Sequence, residues 1–173
     1  MTVKEAIEKR QSPKGFIDKA IEEEKYELLF KAFQSAPSSY NEQPWRLVVI
    51  KKADINFLQL NKTLADANQQ WADTAAAFLV VCAKKTLTKT GADNFHSRYD
   101  TGMAAMSLLL QATELGLYAR QMGGFDREAA TNLLKLTNDF EIMSVMALGY
   151  SELENDSPRK ELKEIIHNNE WNS

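Results

Sequence analysis

The sequence predicts an α+β fold, a sandwich in which helices flank a sheet, from three observations. Two short apolar segments, residues 46–51 and 76–83, have the composition of buried β-strands. One long segment, residues 94–115, carries large apolar side chains at helical spacing. Helices and strands alternate without the strict strand–helix–strand rhythm of a doubly wound sheet. The chain has 173 residues, and we expect residues 1–173 to form a single domain.

The elements are predicted from caps, breakers and periodicity. Thr2 and Glu5 have the spacing of a capping box at the start of the first helix, and Pro13 and Gly15 follow its end. Asp126 is placed to cap a later helix. The predicted helices cover residues 2–10, 19–34, 55–65, 94–115, 126–135 and 159–167. The predicted strands cover residues 46–51, 76–83, 117–122 and 141–148.

The helix over residues 94–115 has the clearest pattern. Its large apolar residues recur every three or four positions, at Phe95, Tyr99, Met103, Met106 and Leu110. Residues 103–110 are apolar almost all the way round, so we expect this helix to be buried on several sides. Gly116 is placed to end it.

Composition excludes several classes of function. The formal net charge of −3 argues against a general nucleic-acid binder. The one cysteine, Cys82, excludes an internal disulfide framework and is expected to be a buried core residue. With only His96 and His167 besides, no metal site is expected. The N-terminus lacks an apolar signal core and no apolar stretch would span a bilayer, so a cytoplasmic location is expected.

The common catalytic motifs are also missing. The sequence has no phosphate-binding P-loop, no dinucleotide-binding glycine motif and no nucleophile elbow. No side-chain nucleophile is visible. If the chain is an enzyme, a bound organic cofactor is therefore expected to carry the reaction.

Four segments remain as candidates for chemistry. Residues 10–14, Arg-Gln-Ser-Pro-Lys, place two cations and a hydroxyl on a tight turn, which suits either a phosphate clamp or a solvated helix end. Arg159 and Lys160 form a second basic group at the predicted start of the last helix. Residues 36–45 form a loop stiffened by two prolines, which either presents polar groups to a planar heterocycle or is a turn beside a core tryptophan. Residues 122–126, Met-Gly-Gly-Phe-Asp, either let backbone approach a flat ligand or form a capped strand-to-helix turn.

In this order the segments resemble the nitroreductase family of FMN-dependent oxidoreductases. The likeness runs from about residue 9 to residue 159, and the segment Ala-Pro-Ser-Ser-x-Asn-x-Gln-Pro-Trp at 36–45 is its most specific part. The resemblance implies an α/β sandwich with a central, mostly antiparallel sheet flanked by helices. It also implies an intertwined homodimer that holds two FMN at its interface, with the long helix in the dimer core.

The resemblance also implies the site residues. Those that would hold the FMN phosphate or line the same turn are Arg10, Gln11, Ser12, Lys14 and Arg159. Those that would reach the flavin from the partner subunit are Pro37, Ser38, Ser39 and Asn41. Those that would contact the flavin ring are Asn68, at its pyrimidine, and Gly123, whose N–H would point at N5, with Gly124 beside it. No side chain is implied as a catalytic acid or base.

The implied activity is hydride transfer from NADH or NADPH through flavin N5 to a nitroaromatic, a quinone or a related acceptor, by a ping-pong mechanism. Three features depart from the family pattern, the first being Lys14, which stands where many members have Arg. Trp71 stands where some members place a cation facing the flavin, and residues 86–93 are too short for the helices that shape the substrate pocket in longer members. These departures keep open an alternative, a flavin-binding store or sensor of the same fold without physiological turnover. A small interaction module without FMN is the third alternative.

Overall fold

The architecture is a four-stranded antiparallel sheet with helices on both faces. This computed structural model describes residues 1–152 and 157–171. The strand order is β1–β2–β4–β3. The strands are β1 Trp45–Lys51, β2 Ala77–Lys84, β3 Tyr118–Met122 and β4 Phe140–Gly149. Every predicted strand is found, with each end within one residue of its predicted position, and the α+β prediction is confirmed.

Two layers of helices cover the sheet. The helices are α1 Val3–Lys9, α2 Glu23–Gln34, α3 Phe57–Asn61, α4 Asp66–Ala72, α5 Ser97–Glu114 and α6 Arg127–Leu134. On one face, α2 and α5 pack against Leu79 and Met146. On the other, α3, α4 and α6 pack against Phe78 and Val145. Because both faces are covered, β2 is buried along nearly its whole length, as its continuous apolar run predicts.

The local signals in the sequence act as expected. The Thr2 hydroxyl accepts the Glu5 N–H and the Glu5 carboxylate accepts the Thr2 N–H, which completes the capping box of α1. The Asp126 carboxylate accepts the Ala129 N–H at 3.0 Å and caps α6. Gly116, with φ of 71°, follows the end of α5 in the left-handed conformation.

The buried thiol also agrees with the prediction. Cys82 lies in β2 with no exposed surface, and burial raises the pKa of its thiol to about 11. The side chain is therefore protonated at neutral pH, as expected of a core residue.

The second helix begins later than predicted. α2 starts at Glu23 rather than at residue 19. The Ile17 N–H donates to the Tyr150 carbonyl at 2.9 Å, which ties the preceding segment to the end of β4. Ile21 is buried in the core without being helical. Tertiary contacts therefore replace the first turn that the sequence pattern favoured.

The helix predicted over residues 55–65 is also wrong in its extent. It covers only Phe57–Asn61, and a separate helix, α4, follows that the sequence did not predict. Leu64 pairs with Phe125 in an isolated β-bridge, which takes the chain out of the helical path. The break brings α4 beside the strand-to-helix turn that follows β3.

The orientation of α5 differs from the prediction. Its buried face consists mainly of small and polar side chains: Ser97, Asp100, Thr101, Ala104, Ala105, Leu108, Leu109 and Ala112. Part of the predicted apolar stripe points away from the single chain, with Phe95, just before the helix, 91% exposed, Tyr99 71% and Met106 40%. Within residues 103–110 Met106 is the exposed residue, while the others are buried or half-buried and Met103 packs against the core. The expectation that residues 103–110 are buried on several sides is therefore confirmed except at Met106.

The last predicted helix, residues 159–167, is not formed. Only a short 3-10 turn is present, Leu162–Glu164. Leu162, Ile165 and Ile166 are exposed, so the segment lacks the packing of an apolar face that would stabilise a short helix. Among residues 1–152 and 157–171, no helix is long and apolar enough to cross a membrane.

A close approach places the segment after α1 against the sheet. A Cβ added to Gly149, the last residue of β4, would lie 2.9 Å from Cδ1 of Phe16. The Ser151 hydroxyl donates to the Gly15 carbonyl at 2.9 Å. The absence of a side chain at Gly149 thus lets residues 10–16 pass close to the end of β4, which fixes the turn described next.

Candidate functional site

The turn after α1 gathers cationic side chains. Arg10 ends α1, and its Nη1 donates to the Ser12 hydroxyl at 3.0 Å. Burial, and after it the charge of the Arg159 guanidinium, lowers the pKa of Arg10. Within the described part of the chain, no carboxylate forms an ion pair with Arg10, Lys14 or Arg159. Two like charges held near a hydroxyl in this way are suited to a bound anion such as a phosphate.

The structure brings together most of the residues predicted at this turn. Gln11 and Ser12 are half-buried in it, and Lys14 is exposed beside them. Arg159 comes from the far end of the chain, and it lies in an irregular segment rather than at the start of a helix. The prediction that Arg159 stands at a helix N-terminus is therefore wrong, but its charge is still near enough to Arg10 to contribute to lowering the pKa of that guanidinium group.

A second cluster lies where β3 ends. The Asn68 side-chain amide on α4 donates to the Gly124 carbonyl at 3.4 Å, and the Ala65 N–H donates to the same carbonyl at 2.9 Å. A Cβ added to Gly124 would lie 3.4 Å from the Ala65 Cβ. Gly123 is exposed, and a Cβ added there would meet nothing within 4 Å. Asn68, Gly123 and Gly124 thus form one open patch of backbone and amide groups.

Arg120 and Trp71 lie between these two clusters, and the sequence analysis assigned no role to Arg120. Arg120 Nη1 on β3 donates to the Ser12 main-chain carbonyl. Its guanidinium carbon lies 5.5 Å from the centre of the Trp71 ring on α4, and that ring packs beside Phe16 at 6.3 Å. The arginine therefore connects the cationic turn with the helix that carries Asn68. In the sequence, the signal that could have pointed to Arg120 is its position on a predicted strand just before the Gly-Gly turn.

The loop at residues 37–44 lies on α5 instead. The Ser39 N–H donates to Oδ2 of Asp100 at 3.0 Å, and the Gln43 N–H donates to the Ser38 hydroxyl at 3.0 Å. Tyr40, Asn41 and Gln43 have positive φ, between 48° and 57°. Among the described residues, no hydrogen bond joins this loop to Asn68, Gly123 or Gly124.

Within one chain, the predicted site residues therefore lie in two separate places. The first holds Arg10, Gln11, Ser12, Lys14, Asn68, Gly123, Gly124 and Arg159. The second holds Pro37, Ser38, Ser39 and Asn41, beside the exposed apolar stripe of α5. The sequence analysis missed Asp100, which holds the second place together.

Asp100→Ala is expected to lower the free energy of unfolding by about 1–3 kcal/mol, because it leaves the Ser39 N–H without its acceptor in a partly buried place. Asp100 itself is only 2% exposed. Asp54 provides a matched control, since its carboxylate accepts the Lys51 N–H at 2.7 Å in an exposed turn. Asp54→Ala should lower the free energy of unfolding by a smaller amount. Equal losses for the two variants in urea unfolding would contradict a special role for Asp100 in holding the loop.

The chain is similar in sequence and in fold to several known proteins. The family model described as "Nitroreductase family" matches residues 7–67 and 54–150. A protein of Archaeoglobus fulgidus named "Putative NADH dehydrogenase/NAD(P)H nitroreductase" is 30% identical over 171 residues, which cover 94% of each chain. A solved structure of a protein with the same name from Bacteroides thetaiotaomicron has a TM-score of 0.82 at 25% identity, over 98% of both chains. Another, described as "the oxidoreductase containing FMN", has a TM-score of 0.80 at 29% identity, over 84% of this chain and 75% of that one.

Proposed function

The chain belongs to the nitroreductase family, and from this we propose that it is an FMN-dependent NAD(P)H oxidoreductase. The observation that carries the proposal is the cationic turn after α1, where the Arg10 guanidinium group donates to the Ser12 hydroxyl and the charge of Arg159 is near enough to help lower the pKa of Arg10. Among the described residues, no carboxylate forms an ion pair with either arginine. Such a group fits the dianionic phosphate of FMN, and a relative of known structure is described as containing FMN.

Different residues of the chain would bind the two ends of the cofactor. Arg10, Ser12, Lys14 and Arg159 would hold the phosphate, with Gln11 lining the turn. Asn68 would face the pyrimidine part of the ring, and the N–H of Gly123 would point at N5. The open backbone at Gly123 suits a flat ring, because a Cβ added there would meet nothing within 4 Å.

When bound, FMN supplies an N5 atom that takes hydride from NADH or NADPH and passes it to an acceptor. The protein contributes position and charge and needs no side-chain acid or base. Donor and acceptor would use the same face of the ring in turn, which is the basis for proposing a ping-pong mechanism. The acceptors proposed are nitroaromatics, quinones and related compounds.

We propose in addition that the working form is a homodimer. The loop residues Pro37, Ser38, Ser39 and Asn41 do not reach Asn68 or Gly124 of their own chain in any described hydrogen bond, so a second copy would supply them. The exposed stripe of α5 and the exposed apolar side chains at 162, 165 and 166 offer the surface that such a dimer would bury.

Initial-rate kinetics test the mechanism. With NADH or NADPH and a quinone as varied substrates under anaerobic conditions, double-reciprocal plots should give parallel lines. Intersecting lines would contradict the ping-pong order and leave the oxidoreductase activity intact. Reduction of bound FMN without turnover on any quinone or nitroaromatic would favour the flavin store or sensor, which the short turn at residues 86–93 also allows.

A further inference from the structure

Arg120 is a cation whose place in the site is not explained by the phosphate turn alone. Its Nη1 donates to the Ser12 carbonyl, and the face of its guanidinium group lies over the Trp71 ring at 5.5 Å. The side chain is half-buried, and no described carboxylate forms an ion pair with it. A main-chain carbonyl and an aromatic ring hold a guanidinium group in place without neutralising its charge, as a carboxylate would.

The position of Arg120 along the chain places this charge between the two ends of the proposed site. On one side is Ser12, in the cationic turn. On the other, Arg120 lies on β3 three positions before Gly123, which follows the strand, and Trp71 follows Asn68 by three residues, about one turn, on α4. The guanidinium group thus contacts both the turn that would hold phosphate and the helix whose Asn68 would lie at the ring.

We propose that Arg120 stabilises the negative charge that the FMN ring gains on reduction and so raises its reduction potential. The inference rests on the function proposed above. A hydride carries two electrons and one proton, so its transfer from NAD(P)H leaves NAD(P)⁺ and a ring with one more negative charge. A fixed cation in a partly desolvated place favours that charged form over the oxidised one. Trp71 contributes by holding the guanidinium group on one side.

The test compares the reduction potential of bound FMN in four proteins, measured anaerobically against a reference dye. These are the wild type, Arg120→Gln, Arg120→Lys and Arg127→Gln. Arg127 is a matched control, since it also donates to a main-chain carbonyl, that of Ile142, and lies over an aromatic ring, Phe125, at 4.8 Å. It makes no described contact with Ser12 or Trp71.

Arg120→Gln is expected to weaken binding of the reduced cofactor relative to the oxidised one by about tenfold, a fall of about 30 mV for a two-electron couple. Arg120→Lys should retain most of the wild-type potential, because it keeps the charge. Arg127→Gln should leave the potential unchanged. If Arg120→Gln does not fold, Arg120→Met is the second neutral variant, with the same expected fall.

Each of the other outcomes overturns the inference. An unchanged potential in the neutral variant would show that the charge does not act on the ring. An equal fall in Arg120→Lys would show that only the bond to Ser12 matters. Neutral variants that fold but bind no FMN would place the role of Arg120 in binding instead. A wild-type protein that binds no FMN would overturn the proposed function itself, which distinguishes the two failures.

Discussion

Arg10→Ala is expected to weaken FMN binding by about 1.5–3 kcal/mol, roughly tenfold to more than hundredfold in Kd. The variant removes a guanidinium group that lies beside the Ser12 hydroxyl and close to Arg159. In the proposed site this group makes charge-assisted hydrogen bonds to the phosphate. Binding of riboflavin, which has the same ring but no phosphate, should change little. Titration of the apoprotein with each ligand, followed by flavin fluorescence, measures both values.

The control for this variant is Lys9→Ala. Lys9 is the neighbouring cation in the last turn of α1, and its side chain is exposed. The Lys9→Ala substitution removes the same formal charge but leaves the turn unchanged, so FMN affinity should fall only slightly. Equal losses for FMN and riboflavin in Arg10→Ala would contradict a phosphate contact. Equal losses of FMN affinity in Arg10→Ala and Lys9→Ala would show that the effect comes from the net charge of the protein and not from the turn.

Met106→Asp is expected to convert the proposed homodimer to a monomer and to remove most of its FMN binding. Met106 is 40% exposed on the apolar stripe of α5, where a second copy would cover it. A carboxylate there is tolerated in one chain but would lie unpaired and desolvated in the dimer. The monomer would also lack the loop residues of the second copy. Sedimentation velocity and FMN titration on the same samples measure the two effects.

Leu58→Asp is the matched control. Leu58 is 62% exposed on α3, away from the stripe, so the same kind of substitution should leave the dimer and its FMN binding intact. A Met106→Asp protein that remains dimeric would contradict the assignment of this face. A monomer that binds FMN with wild-type affinity would contradict the shared site.

The parts of the fold that the sequence predicted depend on short-range chemistry. The Thr2–Glu5 capping box, the Asp126 cap and the left-handed residue Gly116 each involve groups only a few positions apart. The strands were found because their apolar runs are short and bounded by breakers. Segments 10–14 and 122–126 were singled out for the same reason, since the residues that make each turn are consecutive.

The parts that were wrong depend on surfaces distant in sequence. A helical period does not reveal which face meets the sheet, and α5 packs through residues such as Ala104 and Leu108 while Tyr99 and Met106 point outward. The 159–167 segment has a helical pattern, but its apolar side chains Leu162, Ile165 and Ile166 are left exposed. Arg120 and Asp100 act on Ser12 and Ser39 across 108 and 61 positions, which no local pattern encodes.

The visible absorption spectrum, recorded before and after anaerobic addition of NADH or NADPH, tests the central claim most directly. The account predicts flavin bands, in the protein as purified or after addition of FMN, and predicts that either or both nucleotides bleach them. A protein that shows no bound flavin even with FMN added would contradict the account.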